Sequence, residues 1–223
     1  MTDHVDFYFD VLCPWAYQAS RWIRSVREQG LCEVDWRFFS LEEVNHTSGK
    51  KHPWERDWSY GWSLLRVAAH LRRRDPDLVD RWYEAVGRAL HEDGRDVFLR
   101  TGAEAVAAEI GLPDDTVSAA IEDQSTHDDV LADHRGLVQD KGGFGVPTLV
   151  FGDGSAFFGP QVVPAPTGAE AARLWELVVG WRDFPHLYEL QRPKHAADLA
   201  HIGTVFSPYL EARAWPTVVK PAP

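Results

Sequence analysis

The first part of the chain alternates between strand-like and helix-like patterns of hydrophobic positions. Residues 4–12 are rich in β-branched and aromatic side chains with polar residues at intervals, which predicts a buried strand. From Pro14 to about Gly30 the period is helical, with proline at the start and glycine as a stop. Residues 32–39 alternate again and predict a second strand. This order is typical of a βαβ unit, whose two strands run parallel.

A block of helical patterns follows the βαβ unit. It begins with a polar and aromatic loop over residues 45–62 and continues with amphipathic spacings as far as residue 141. Thr101 and Glu104 have the spacing of a capping box that opens one of these helices. We therefore predict a helical insertion over residues 45–141.

Strand-like patterns return after the insertion. Residues 147–151 and 156–158 flank a Gly-Asp-Gly-Ser turn and predict a hairpin, and a helix follows from Gly168 to about Trp181. The fold class is therefore α/β, with one core built from residues 1–44 and 142–192.

Residues 193–223 contain several prolines and little periodicity, which predicts a C-terminal tail without regular structure. An ordered tail needs a surface to pack on, either its own domain or a partner subunit. A homodimer formed through this tail is the second of these alternatives.

Composition excludes several functional classes. The chain has 23 basic and 34 acidic residues among 223, a net charge of −11, which predicts neither a nucleic acid nor an anionic membrane as partner. No apolar run is long enough to span a bilayer, and the acidic N-terminus does not have the pattern of a signal peptide. Two cysteines cannot form a disulfide framework, so we expect a cytoplasmic protein.

Cys13 is the leading candidate for chemistry, because it lies where the first strand gives way to the first helix. The partial positive charge of a helix N-terminus lowers the pKa of a thiol toward neutrality, which would make Cys13 a nucleophile. The alternative is a small buried hydrophobic residue. Asp10, three residues earlier, would either assist proton transfer or accept hydrogen bonds from the backbone of the turn. Cys32 lies beyond the far end of the helix and is interpreted as structural.

Short motifs around Cys13 and near residue 147 carry a family resemblance. Residues 9–15, Phe-Asp-Val-Leu-Cys-Pro-Trp, resemble the active-site signature of the DsbA branch of the thioredoxin superfamily. Residues 145–148, Gly-Val-Pro-Thr, resemble its cis-proline loop. Residues 40–45, 157–160 and 184–190 narrow the likeness to the mycothiol-dependent nitroreductase and mycoredoxin-like subgroup. The resemblance, which runs from about residue 4 to 192, implies a thioredoxin fold with a DsbA-like helical insertion domain.

One departure from the family motif concerns the second cysteine. The family has C-P-W-C, and this chain has Cys13-Pro14-Trp15-Ala16. A dithiol enzyme releases its mixed disulfide through attack by the second cysteine, which Ala16 cannot do. Monothiol chemistry remains, in which an external low-molecular-weight thiol resolves the adduct. The resemblance implies mycothiol as this cosubstrate, and glutathione is the alternative. We expect no tightly bound cofactor, and the spacing of His127 and His134 predicts no shared metal site.

The resemblance also implies roles for individual residues. Cys13 is the nucleophile and Pro14 its neighbour in the catalytic motif, while Trp15 forms an aromatic wall beside the sulfur. Asn45 hydrogen-bonds a substrate or cosubstrate. Pro147 is the cis-proline whose neighbouring backbone groups pair with a bound thiol adduct.

One further position departs from the subgroup, and two other sets of residues have two interpretations each. Val146, where the subgroup tends to have threonine, lies beside the sulfur but lacks the hydroxyl group. His134 matches a family position near the ligand, or is a hydrogen-bonded core histidine. Four aromatic residues form either a lid over the ligand or part of the core of the insertion: Trp54, Trp58, Tyr60 and Trp62.

Three functions therefore stay open. The first is a monothiol oxidoreductase that uses Cys13 with a low-molecular-weight thiol on mixed disulfides or electrophilic small molecules. The second is a transferase or isomerase resembling kappa-class glutathione transferases and 2-hydroxychromene-2-carboxylate isomerases, in which a bound thiol cosubstrate reacts. The third is a non-catalytic binder of small molecules. Only the first requires a covalent adduct on Cys13.

Overall fold

A four-stranded mixed sheet forms the centre of the computed structural model, which describes residues 2–212. Strand β1 (Asp3–Phe9) pairs in parallel with β2 (Cys32–Phe38). On its other side β1 pairs antiparallel with β3 (Thr148–Phe151), which in turn pairs antiparallel with β4 (Ala156–Phe158). The strand order is β2-β1-β3-β4, so the strand that leads to Cys13 lies in the interior of the sheet.

Helix α1 (Pro14–Glu28) connects the two parallel strands, which confirms the predicted βαβ unit. It ends close to Gly30, whose φ of 72° lies in the left-handed region that favours glycine. Strand β1 ends at Phe9, three residues before the predicted end. The reason is Asp10, whose side chain accepts hydrogen bonds from the backbone and turns the chain away from the sheet.

Six helices lie between β2 and β3. They are α2 (Leu41–Val44), α3 (Tyr60–Arg72), α4 (Asp77–His91), α5 (Arg100–Glu109), α6 (Thr116–Glu122) and α7 (Ser125–Arg135), with a 3-10 turn at Pro53–Glu55 and a π turn at Gly136–Asp140. Thus the predicted loop over residues 45–62 already contains a helical turn and the start of α3.

The predicted capping box at Thr101 and Glu104 is wrong. Helix α5 begins two residues earlier than this box requires, with Leu99 as its N-cap and no side-chain capping bond. Glu104 instead pairs with Arg100 through an Nε–Oε1 contact of 3.0 Å, one helical turn apart. Gly102 lets the carbonyl of Asp96 approach closer than any side chain would allow, which fixes this earlier start.

A buried ion pair fixes α4 against α1. Arg24 Nε donates to Asp80 Oδ1 at 2.7 Å, and the guanidinium lies 4.7 Å from the ring centroid of Trp36 on β2. Arg27 donates to the second carboxylate oxygen of Asp80 at 2.5 Å. One carboxylate therefore joins two arginines of α1 to α4, while the ring of Trp36 connects the same guanidinium to the sheet.

The C-terminal segment corrects the expectation of an irregular tail. After α8 (Gly168–Gly180) and a 3-10 turn at Trp181–Asp183, the chain forms α9 (Ala196–Val205) and α10 (Ser207–Ala212). Phe206 and Tyr209 are buried against the rest of the chain. The described part of the tail thus packs on its own domain, which gives no support to a homodimer formed through it. Residues 213–223, which the dimer expectation also included, lie outside the described residues.

Hydropathy gives one further result. Among residues 2–212, every helix is too short or too polar to cross a membrane.

His91 connects α4 to both the active-site turn and the tail. Its Nε2 donates to the carbonyl of Val11 at 2.9 Å, and its ring lies 5.0 Å from the rings of both Tyr17 and Tyr209. Burial lowers the pKa of His91 from 6.5 to about 4, although the bond to Val11 opposes this shift. The folded protein therefore holds His91 neutral.

We predict that His91→Phe removes an acid-dependent loss of stability. Between pH 6.5 and about 4, unfolded His91 takes up a proton and folded His91 does not, so its contribution to the free energy of unfolding falls as the pH falls. The variant keeps the aromatic packing but loses the bond to Val11, worth about 1 kcal/mol. In urea titrations it should be less stable than the original chain near neutral pH. This difference should shrink or reverse toward pH 4; a constant difference would contradict the assignment.

Candidate active site

Cys13 is the N-cap residue of α1. Its side chain accepts a hydrogen bond from the N–H of Ala16, with a donor–acceptor distance of 3.4 Å. Pro14 takes the first helical position, where the missing N–H costs no hydrogen bond. The sulfur therefore lies at the end of the helix at which backbone N–H groups accumulate.

The loop before β3 supplies the opposite side of the sulfur. The peptide bond between Val146 and Pro147 is cis, and the Cys13 thiol donates to the carbonyl of Val146 at 3.4 Å. Thr148 Oγ1 donates to the carbonyl of Gly145 at 2.8 Å and holds the loop closed. The fold thus brings Cys13 next to a cis-proline loop more than 130 positions away in the sequence.

The expected depression of the thiol pKa is wrong for this closed site. Burial, the largest effect, raises the pKa of Cys13 to about 12, and the carboxylate of Asp10 adds to this increase. The backbone N–H groups of Ala16 and Trp15 lower it by less. Cys13 is only 6% exposed, so the thiol is protonated at rest, in agreement with its role as donor to Val146.

Asp10 holds the turn that precedes Cys13. Its two carboxylate oxygens accept from the N–H of Leu12 at 2.8 Å and from the N–H of Leu41 at 2.6 Å. The carbonyl of Asp10 accepts from the N–H of Cys13 at 3.0 Å. Of the two interpretations given above, the geometry fits the backbone acceptor. Complete burial raises the pKa of Asp10 to about 7 despite these bonds.

A cavity of about 780 Å³ opens onto the sulfur. Its lining comes from three parts of the chain: the turn around Cys13, the segment from α2 to the start of α3, and the C-terminal helices. The residues from these parts are Leu12, Cys13, Pro14, Leu41, Glu42, Asn45, His46, Thr47, Lys50, Lys51, Arg56, Tyr60, Phe206, Tyr209 and Leu210.

The structure places several of the predicted site residues around this cavity. Asn45 and Tyr60 line it, although the amide of Asn45 also donates to the carbonyl of Leu41 at 2.8 Å. Trp15 packs against the tail, with its ring centroid 5.0 Å from that of Phe206 in an edge-on arrangement. Val146 faces the sulfur through its carbonyl group.

Trp54 and His134, each with a ligand-binding and a core interpretation above, do not line the cavity. Trp54 packs against the rings of Trp62 and His127, each with centroids 5.3 Å apart. The Nδ1 of His134 accepts from the N–H of Ser40 at 3.2 Å, and its ring is buried. Both side chains therefore belong to the interior, since the insertion needs large rings to fill its core.

Trp58 and Trp62 also pack inside the insertion. Trp58 Nε1 donates to the carbonyl of Phe98 at 2.6 Å, and Trp62 is 1% exposed. Only Tyr60 of the four aromatic residues reaches the cavity. The other three, Trp54, Trp58 and Trp62, therefore belong to the core of the insertion.

Sequence reasoning missed the contribution of the tail and of two lysines. Phe206, Tyr209 and Leu210 line the cavity, and so do Lys50 and Lys51. A helical spacing of apolar residues was available in the tail, at positions 199, 202, 206, 209 and 210. For the lysines no sequence signal existed, because their position depends on how the loop folds.

Comparison with known proteins assigns the chain to a family. Residues 12–192 match the family model described as Rv2466c-like, mycothiol-dependent nitroreductase Rv2466c. The chain is 51% identical over 214 residues to the uncharacterized protein Rv2286c of Mycobacterium tuberculosis (strain ATCC 25618 / H37Rv), which covers 96% of this chain and 92% of that protein.

The solved structures with a similar fold include two oxidoreductases. A probable DsbA oxidoreductase, SCO1869 from Streptomyces coelicolor, has a TM-score of 0.58 and 20% identity, over 87% of this chain and 94% of that one. The cytosolic disulfide reductase DsbM from Pseudomonas aeruginosa, solved with GSH, has a TM-score of 0.57 and 16% identity, over 79% and 99% of the two chains. The fold is thus the DsbA-like thioredoxin fold, and the chain belongs to the Rv2466c-like family of mycothiol-dependent nitroreductases.

Proposed function

We propose that this member of the family is a monothiol oxidoreductase, in which Cys13 forms mixed disulfides and a low-molecular-weight thiol, mycothiol, resolves them. The observation that carries the proposal is the position of the Cys13 sulfur. It lies between the N-terminus of α1 and the carbonyl before Pro147, at the end of a cavity large enough for a small molecule. Both cysteines are free, which favours a cytoplasmic location.

The reaction begins when the Cys13 thiol loses its proton to solvent. The thiolate attacks one sulfur of a disulfide substrate, a new sulfur–sulfur bond forms, and the other half leaves as a thiolate with the electron pair of the broken bond. The substrate is reduced by one thiol and Cys13 is oxidised to the mixed disulfide. A second thiolate, from mycothiol, then attacks the substrate sulfur of the adduct. The bond to Cys13 breaks, Cys13 leaves as a thiolate, and the product is a disulfide of mycothiol and the substrate half. An external thiol is needed because Ala16 has no sulfur.

Residues around the sulfur assist in defined ways. The N–H of Ala16 already points at the sulfur and stabilises the thiolate once it forms. When the thiol proton leaves, the carbonyl of Val146 loses its donor. Asn45 and Tyr60, both at the cavity, are positioned to contact the bound thiol or the substrate.

The raised pKa of Cys13 favours a second candidate function. A buried, protonated thiol that donates a hydrogen bond resembles a hydroxyl group in its chemistry, and could orient a reactive thiol cosubstrate without forming a covalent bond. This is the transferase or isomerase alternative. Cys13→Ser separates the two, since it abolishes mixed-disulfide chemistry and preserves a hydrogen-bonding role.

We predict that Cys13 alkylates slowly and with a steep pH dependence. With its pKa near 12, the thiolate fraction rises about tenfold per pH unit up to that value, so the rate with iodoacetamide should rise by the same factor from neutral pH to about pH 9. A Cys32→Ala background leaves Cys13 as the one thiol. A rate that levels off near neutral pH would show a depressed pKa and contradict the prediction.

We predict that mycothiol disulfide adds one mycothiol to the chain, on Cys13. Intact and peptide mass spectrometry at about pH 8 to 9 should find the adduct in Cys32→Ala and none in Cys13→Ser. Added mycothiol should remove it. Glutathione disulfide serves as the comparison thiol. No adduct on Cys13 with either disulfide would exclude the monothiol mechanism and leave the transferase or the binder.

We predict that Ala16→Cys converts the adduct into an internal disulfide. Residue 16 is fully buried one helical turn from Cys13, and its N–H contacts the Cys13 sulfur. A thiol there should displace the bound mycothiol, so mass spectrometry should show the loss of two hydrogens and no adduct. Ala16→Ser, of nearly the same size, is the control and should keep the adduct. An adduct that persists in Ala16→Cys would mean that position 16 cannot reach the sulfur.

A further inference from the structure

The cavity above Cys13 has two chemically different sides. The C-terminal helices provide an apolar side, and the loop between α2 and α3 provides a cationic side. Neither side belongs to the catalytic motif, and the apolar one lies beyond residues 12–192 that match the family model. The two sides together limit the kind of molecule that can approach the sulfur.

The apolar side is anchored at two points. Phe206 is 7% exposed and packs edge-on against Trp15, while Tyr209 packs against His91. Next to these anchors in the sequence, Leu210 lines the cavity and is 52% exposed, so part of an apolar side chain is open to a ligand there. An apolar ligand would cover this surface, whereas a fully hydrated one would gain nothing from it.

The cationic side stands out in a chain whose net charge is −11. Lys50, Lys51 and Arg56 line the cavity, and the one acidic residue among the lining residues is Glu42. That carboxylate is already paired, with Arg56 Nη1 at 3.4 Å and the N–H of Trp62 at 2.8 Å. Lys50 and Lys51 make no ion pair within residues 2–212. Both lysines are exposed, so two positive charges without an ion-pair partner in the described part of the chain lie at the cavity.

Stacked rings hold the loop that presents these lysines. The rings of His46 and His52 lie 3.9 Å apart and nearly parallel, and the ring of Trp54 continues the stack at 4.4 Å. His52 Nδ1 donates to Glu43 Oε2 at 2.8 Å, and His46 Nε2 donates to the carbonyl of Lys50 at 2.7 Å. The backbone at Lys50 is thereby tied to the start of the insertion, which keeps the positive charge at the cavity.

We propose that the substrate of Cys13 is an anionic compound with an aromatic or other bulky apolar body. The proposal rests on the monothiol function and names its substrate class: disulfides or thiol-reactive electrophiles that carry a carboxylate or a similar anion. The apolar body packs against Phe206 and Leu210, the anion lies near Lys50 and Lys51, and the reactive atom faces the Cys13 sulfur. For a disulfide, Cys13 forms the new sulfur–sulfur bond and the other half leaves as an aromatic thiolate.

The test compares three disulfides on the full chain with Cys32→Ala. Dithiobis(nitrobenzoate) is aromatic and anionic, dithiodipyridine is aromatic and uncharged, and hydroxyethyl disulfide is small and uncharged. The double variant Lys50→Ala with Lys51→Ala should slow the anionic reagent about tenfold and leave both uncharged ones unchanged. Lys141→Ala with Lys194→Ala removes the same charge from exposed positions that do not line the cavity, and should change none of the rates.

A second pair of variants tests the apolar side. Leu210→Ser should slow both aromatic disulfides severalfold and spare hydroxyethyl disulfide. Leu199→Ser is the matched control: Leu199 is 56% exposed on α9 and does not line the cavity. If the two serine variants, or the two lysine pairs, changed the reaction rates equally, the proposed substrate class would be overturned. The proposed function would stand, because Cys13 would still react.

If Cys13 reacts with none of these reagents, the monothiol function is excluded. A binding measurement then still tests the proposed ligand class. Equilibrium dialysis should detect naphthoate on the unaltered chain and little uncharged naphthamide. The preference for naphthoate should vanish in the Lys50 and Lys51 double variant and persist in the Lys141 and Lys194 control. Equal retention of both compounds by the unaltered chain would refute the anionic substrate class regardless of the redox result.

Discussion

The buried carboxylate of Asp10 is the constraint on which the active site depends. It accepts two backbone N–H groups, from Leu12 and Leu41, and so joins the turn before Cys13 to the first turn of α2. Hydrogen bonds to a charged group are worth about 1.5–3 kcal/mol each, but here burial opposes them strongly enough to raise the pKa to about 7. The position of the sulfur, and one wall of the cavity, follow from this single side chain.

Sequence patterns predicted the parts of the fold that local periodicity determines. The βαβ unit, the hairpin and helix α1 all came from hydrophobic spacing and glycine or proline signals. The end of β1 did not, because a strand-like run continues to Leu12 while the contacts of Asp10 turn the chain earlier. Likewise the spacing at Thr101 fitted a cap, but the close approach at Gly102 started α5 sooner. Both errors arise where tertiary contacts override a local preference.

For the active site, too, short motifs predicted some residues correctly, while other properties depend on contacts between distant parts of the chain. Motif resemblance pointed to Cys13 and Pro147, which the fold brings together across the cis peptide bond. Trp54 and His134 each had a ligand-binding and a core interpretation, and their rings pack in the interior. A helix N-terminus predicts a lowered thiol pKa, but the burial of Cys13, which is only 6% exposed, outweighs this effect. The degree of burial is a property of the whole fold, so no short segment could have revealed it.

The part of the cavity wall formed by α9 and α10 differs from the residues that position the sulfur in what else it supports. Residues that hold the sulfur, such as Asp10, also hold the sheet and the insertion together, so a change there endangers folding as well as chemistry. Leu210 contacts the cavity from a surface helix beyond the family's matched segment, and its replacement leaves the sheet untouched. An exchange of this segment between relatives would therefore alter the apolar lining of the cavity while the contacts of Asp10 stay in place.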